Sequence, residues 1–262
     1  LVALLRDSGN GSRISVAQVE ADGGPRAALA RRLGLFAAEA EQRASADLDG
    51  WRGSGITPIP FTDPRFPDRL RGMDSCPPML WLRGALDDDD ARGVAVIGTR
   101  QPTRQGVAAA AALAQALTAA GRTVISGLAL GIDAAAHTAA LEAGGRSIAV
   151  LGNGLQHVYP PAHAGLQRRM HVLVSQFWPE QGPDRTTFPL RNALMSALSS
   201  ATVVVEAGQR SGARIQARHA LAQGRPLFLW APLLREEWAR TLAPQARVRV
   251  IASPDELVRE LG

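Results

Sequence analysis

The stretch TVISGLALGIDAAAH, residues 123–137, decides how the chain is read. It opens on a β-branched run. Gly127 and Gly131 interrupt it, and Ile132 to His137 then carries helix formers with one acid, Asp133, at its head. A strand that ends in glycines and restarts as a helix is the joint of a β–α unit. A nucleotide pocket and a plainly capped helix both have this form, so the flanking sequence has to separate them.

Working outward, apolar runs of the same kind recur: VAVIG (94–98), TVISG (123–127), SIAVLG (147–152), VLVSQF (172–177), TVVVEA (202–207), LFLW (227–230) and VRVIA (248–252). Most are nearly continuous, as strands covered on both faces must be. Helical stretches at 106–120, 132–143 and 212–223 stop at Gly121, Gly144 and Gly224, and glycine just past a helix end is a standard stop. FPLRNALMSALSS (188–200) reads as a further helix, with Arg191 and Asn192 at its start. Ser253-Pro254-Asp255-Glu256 opens the last helix as a capping box with proline at the first helical position. The alternation predicts an α/β fold built on a doubly wound, mostly parallel sheet.

Before that sheet the pattern differs. Residues 1–48 read as a small helical unit, in which RAALARRLGLFAAEAEQRASADL carries an apolar stripe at helical spacing and Gly9, Gly11, Gly23 and Gly24 break up the lead-in. Residues 49–93 are rich in proline and glycine, with short extended runs around Ile56–Phe61 and Met79–Leu82. Phe61, Phe66 and Trp81 make this a connector packed on the domain of residues 49–262. The Asp87–Asp90 run lacks the spaced oxygen ligands of a calcium loop and reads as a solvated loop.

Composition bounds the rest. Of 262 residues, 46% are hydrophobic and 20% charged, as in a globular chain. The apolar stretches are too short to span a bilayer. Leu1–Leu5 is cut off by Arg6 and Asp7, so no signal peptide is read and the cytoplasm is the expected location. A single cysteine, Cys76, gives neither a disulfide framework nor a zinc cluster. The net charge is +5, and all 29 basic residues are arginine. GC-rich codon usage and a polyanion partner both produce that bias, and charge alone does not choose.

In open parallel sheets ligands bind beyond the carboxyl ends of the strands. Here those ends are small or polar: Gly98-Thr99-Arg100, Ser126-Gly127, Gly152-Asn153-Gly154, Ser175-Gln176 and Glu206-Ala207-Gly208. GTRQPTRQG after the first strand is not the G-x-G-x-x-G of a dinucleotide site. No acid ends the second strand, and without lysine there is no P-loop. Arg100 is placed to act as a phosphate fork. Arg191 and Asn192 offer a charged fork and an amide. In EAGQRSGARIQARHA (206–220), Ser211 caps a helix, Gly212 permits close approach, and Arg210, Arg214 and Arg218 add charge. Asp133 compensates the dipole of its own helix and would repel a phosphate there. That leaves Ser126-Gly127 as the ligand-facing part of the opening stretch. His137, one turn after Asp133, reads as a satisfied core residue.

These pieces, in this order, resemble the bacterial DNA-processing protein A family (DprA, also called Smf). The resemblance rests on Gly98-Thr99-Arg100, SGLALGIDAAAH, LGNGLQHVYP (151–160), FPLRN (188–192) and VVVEAGQRSG (203–212), and extends over residues 56 to about 232. It implies a Rossmann-like domain with a small SAM-like helical unit before it. It also implies binding of single-stranded DNA in a basic pocket, a homodimer, and loading of the RecA recombinase in natural transformation. It implies no catalysis, cofactor, metal or membrane. Carried onto matching positions, the DNA site draws on Gly98, Thr99, Arg100, Ser126, Gly127, Arg191, Asn192, Ser211 and Gly212, with Asp133, His137, Arg210 and Arg214 in support. The chain departs from the pattern where Ala193 replaces the second arginine of R-N-R, where Gln176 stands for glutamate, and where SGARIQA and Ala231-Pro232 replace the family's residues. Its N-terminal unit lacks a clear helix-hairpin-helix glycine pattern, and a diverged member without a winged-helix tail is expected. The alternative is a nucleotide-binding sensor or phosphoribohydrolase-like enzyme. Such enzymes carry P-G-G-x-G-T-x-x-E where this chain has EAGQRSGARIQA, but Glu206 and Arg191 keep that reading open. An interaction module with a dead pocket is a third reading.

Overall fold

The computed structural model describes residues 1–7, 14–73 and 75–262, so Gly9 and Gly11 lie outside the described residues. The strands are β1 (Thr57–Pro60), β2 (Met79–Arg83), β3 (Val94–Ile97), β4 (Val124–Ser126), β5 (Ser147–Val150), β6 (Val172–Ser175), β7 (Ala201–Val204), β8 (Leu227–Trp230) and β9 (Val248–Ile251). The helices begin with α1 (Val2–Asp7), α2 (Val16–Ala21), α3 (Pro25–Leu33), α4 (Ala37–Gly53) and α5 (Asp68–Arg71). They continue with α6 (Arg104–Ala119), α7 (Ile132–Glu142), α8 (Ala164–Arg169), α9 (Thr187–Leu198), α10 (Gly212–Ala222), α11 (Glu237–Leu242) and α12 (Pro254–Leu261). None of them is long and apolar enough to cross a membrane.

The strands form one sheet in the order β1-β2-β6-β5-β4-β3-β7-β8-β9. From β6 to β9 all pairings are parallel, and the seven apolar runs supply these seven strands. The connector goes further than packing on the domain. Its two extended runs are β1 and β2, which join β6 as an antiparallel extension. Chain order reverses between β3 and β7, which places the switch-point crevice beyond their carboxyl ends.

Alternation along the strands separates two apolar layers. Val94, Val96, Val124 and Val203 pack with Leu113 and Leu117 of α6, Ile132 and Ala136 of α7 and Leu257 of α12. Ala95, Ile97, Ile125 and Val204 face the other way, toward Leu194 and Met195 of α9 and Ala213 and Ala217 of α10. Each fully buried Leu, Ile or Val contributes about 1.5–3 kcal/mol of transfer free energy.

The N-terminal helices share the second layer through Leu4, Val19, Leu29 and Trp51. Helix α4 runs past residue 48 to Gly53, and its Trp51 ring lies 4.6 Å from Trp81 on β2 and 5.8 Å from Trp178 after β6. The Arg6 guanidinium sits over the Trp178 ring at 4.3 Å and pairs with Asp47 and Glu180. The acidic run is not a solvated loop throughout. Asp87 caps a turn over Asp88–Arg92. Asp90 is buried, with Arg146 Nε and Nη2 donating to its two oxygens at 2.7 and 2.8 Å and the Thr123 hydroxyl donating at 2.9 Å. A bidentate arginine is what makes burying that carboxylate tolerable.

Candidate nucleic-acid interface

A cleft of about 590 Å³ opens at the carboxyl ends of β3 and β7. Gly98, Thr99 and Arg100 line it from the loop after β3, Arg191 and Asn192 from α9, and Arg210, Ser211 and Gly212 from the start of α10. Asp133 reaches it from α7. A smaller hollow of about 40 Å³ adjoins it, where Gly127, Asn153, Tyr159 and Phe188 meet Arg100 and Arg191.

Each wall has a local cause. After β3, the Thr99 hydroxyl accepts the Gln101 N–H at 3.2 Å and its carbonyl accepts the Ile132 N–H at 3.2 Å. That turn puts Arg100 on the surface, 5.2 Å over the Phe188 ring. Arg100 has no acidic partner among the described residues, and neither does Arg210. The loop after β7 is held from below, where Trp238 Nε1 donates to the Ala207 carbonyl at 3.1 Å and Arg214 donates to the Gln209 carbonyl and side chain. Helix α10 starts at the cleft, Ser211 capping the Ala213 N–H, with no acid in its first turn. A helix N-terminus without its own carboxylate attracts an anion.

The floor is different. Arg191 is the fifth residue of α9, not its first, and is 5% exposed. Its Nη1 donates to the Gly127 and Val150 carbonyls at 2.6 and 2.8 Å, and its Nε donates to Asn192 Oδ1 at 3.0 Å. A guanidinium spent this way is a tie between β4, β5 and α9, and among the described residues only Nη2 of its three nitrogens has no hydrogen-bond partner. Asp133 lies beside it and accepts the Gly127 N–H at 3.2 Å. Burial pushes the Asp133 carboxyl above the usual carboxylate range, and the Arg191 charge pulls it back. Burial likewise lowers Arg191. A side chain at position 127 would overlap Arg191 Nη1 and come within 2.8 Å of Asp133 Oδ2, so only glycine leaves room for the pair.

Three expected residues, Ser126, His137 and Arg214, do not line the cleft. Ser126 is fully buried, its hydroxyl donating to the Val96 carbonyl at 2.6 Å inside the sheet. Strand alternation turns that side chain away from the cleft. His137 is buried with Nδ1 2.8 Å from Ser147 Oγ, and burial lowers its pKa to about 3, so the ring is neutral. Arg214 fixes the β7 loop rather than lining the cleft.

Glu206, read in the sequence as a strand-end acid, takes a contact that the sequence does not show. Glu206 accepts the Thr103 N–H at 3.1 and 3.2 Å and the Thr103 hydroxyl at 2.8 Å, which places its carboxylate over the N-terminus of α6. That helix has no acid in its own first turn. The missing acid in TRQG, next to Gly106, was the available signal.

Comparison with known proteins follows the same lines. The chain is 36% identical over 185 residues to DNA processing protein DprA of Bacillus subtilis (strain 168), covering 69% of this chain and 62% of that protein. It is 37% identical over 210 residues to protein Smf of Escherichia coli (strain K12), covering 78% of this chain and 56% of that protein. The chain thus spans between half and two-thirds of the length of these curated relatives. The structure of DprA from Streptococcus pneumoniae superposes with a TM-score of 0.73 at 29% identity, over 86% of this chain and 82% of that one. DNA processing protein A from Helicobacter pylori, solved to study its unique single-stranded DNA binding mode, gives 0.68 at 25% identity over 79% of this chain and 95% of that one. Residues 57–260, from β1 through α12, match the family described as DNA recombination-mediator protein A, and the chain belongs to that family.

Proposed function

We propose that the cleft binds single-stranded DNA through its phosphates. One observation carries the reading: Arg100 and Arg210, both without acidic partners among the described residues, flank the acid-free N-terminus of α10 in one open groove. Such a groove suits a flexible polyanion held by its backbone. The Helicobacter pylori relative supports it, being a protein studied for that binding mode. Glu206 is engaged by Thr103, and His137 is buried and neutral, which favours binding over turnover. In the finer reading the protein acts in the cytoplasm as a homodimer and hands the coated strand to the RecA recombinase in DNA uptake.

Labelled oligo-dT titrated at two salt concentrations tests the first part. The expected result is micromolar or tighter binding that weakens steeply with salt, with no free base released from nucleoside monophosphates. Salt-independent binding, or base release, would transfer the site to a nucleotide-hydrolysing function. The finer part predicts faster RecA assembly on strands pre-coated with this protein.

A further inference from the structure

Two helices start at the switch point of the sheet, α6 after β3 and α10 after β7. In nucleotide-binding sheets of this plan the first of these is where a phosphate rests, on the N–H groups that open the helix. Here that place is taken. Glu206 crosses from the end of β7 and sets a carboxylate against the Thr103 N–H and hydroxyl. A Cβ at Gly106 would run into Glu206 Oε2, so the glycine in the first turn is what lets the carboxylate come down onto the helix. The main chain fixes the same approach, with the Thr99 N–H donating to the Glu206 carbonyl at 2.7 Å. Glu206 is only half-buried, so this position is within reach of solvent.

We infer that Glu206 is a specificity-determining residue, a built-in anion that occupies the α6 phosphate position and so excludes free phosphate and mononucleotides from the crevice. Its charge repels a second anion there, while α10, a few residues further along the same chain segment, keeps its N-terminus free of acid. A polynucleotide bridges Arg100 and Arg210 and does not need the α6 position. A mononucleotide has one phosphate, cannot span Arg100 and Arg210, and is denied the α6 position. The inference rests on the reading of the cleft as a DNA site.

The test uses inorganic phosphate and 5′-AMP, each titrated calorimetrically against the whole chain and used as a competitor of labelled oligo-dT. Wild type, Glu206→Gln and Glu206→Ala are compared. Glu206→Gln keeps an acceptor for the Thr103 N–H without the charge, and Glu206→Ala also opens the space. Thermal unfolding of both variants reports the loss of the helix cap separately. The expected result is negligible phosphate and AMP binding by wild type, and a gain of about ten-fold or more in Glu206→Ala, with a smaller gain in Glu206→Gln. Folded variants that bind phosphate and AMP no better than wild type, while wild type still binds oligo-dT, overturn the inference alone. Failure of wild type to bind oligo-dT at any salt concentration overturns the DNA reading.

Discussion

Arg100 and Arg191 line one cleft, and both stand in motifs that announce phosphate binding, yet their surroundings divide them. Arg100 is exposed, has no acidic partner among the described residues, and lies over the Phe188 ring. Arg191 is buried, beside Asp133, with Nη1 and Nε committed to carbonyl oxygens of Gly127, Val150 and Asn192. On the proposed reading the rim, with Arg100, Arg210 and Ser211, meets the DNA. The floor, with Asp133 and Arg191, ties the ends of β4 and β5 to α9. Loss of affinity in a variant therefore means different things at the two places, and stability measurements separate them.

The largest effect is expected at the floor. Arg191→Ala leaves Asp133 buried without its cation, and urea unfolding should show a loss of about 3–5 kcal/mol. Arg191→Lys should recover little of it, because an ammonium cannot reproduce the fork that meets three oxygens. An Arg191→Ala protein as stable as wild type, but unable to bind DNA, would move Arg191 to the rim class.

Gly127→Ala comes next. The added methyl overlaps the guanidinium, and about 1–3 kcal/mol should be lost, with DNA affinity falling only as the fold does.

The third effect concerns pH. His137 has its folded pKa lowered to about 3 by burial. In the unfolded chain it titrates near its ordinary value of 6.5. The unfolded state therefore takes up the proton first on acidification. The stability from keeping the ring neutral is complete above about pH 6.5 and is lost as pH falls toward 3. Between pH 7 and 5 this one group removes about 2 kcal/mol. Across that range the stabilities of wild type and His137→Gln should diverge by this amount, and parallel curves would mean that the His137 ring is not held neutral.

The smallest stability change belongs to the rim. Arg100→Ala should unfold like wild type, bind oligo-dT about ten-fold more weakly, and lower the salt slope by about 0.7, the value of one phosphate contact on a single strand. Arg210→Ala should follow the same pattern. An unchanged slope in both would remove phosphate contact as their function.

The parallel strands were legible because continuous apolar runs need no tertiary information, and the glycine stops fixed the ends of α6, α7 and α10. What escaped depends on partners distant in sequence. β1 and β2 are short and proline-flanked, and only their pairing with β6 makes them sheet strands. Arginine reads as a surface residue, so nothing local marks Arg191 as buried; its backbone acceptors lie 64 and 41 residues away. Ser126 sits at a strand end in the sequence, but the last residue of β4 still obeys the alternation that turns its hydroxyl toward Val96. Glu206 and Thr103 are separated by 103 residues, and the sheet order alone brings them together.

The indole cluster where α4 meets the sheet has an optical consequence. Trp51, Trp81 and Trp178 lie within 4.6–5.8 Å of one another, under a cation from α1. Intrinsic fluorescence is therefore weighted toward the seam between the N-terminal helices and the strands. Prying those helices loose would hydrate the rings and redden the emission, so a spectrometer can follow that seam without any attached dye.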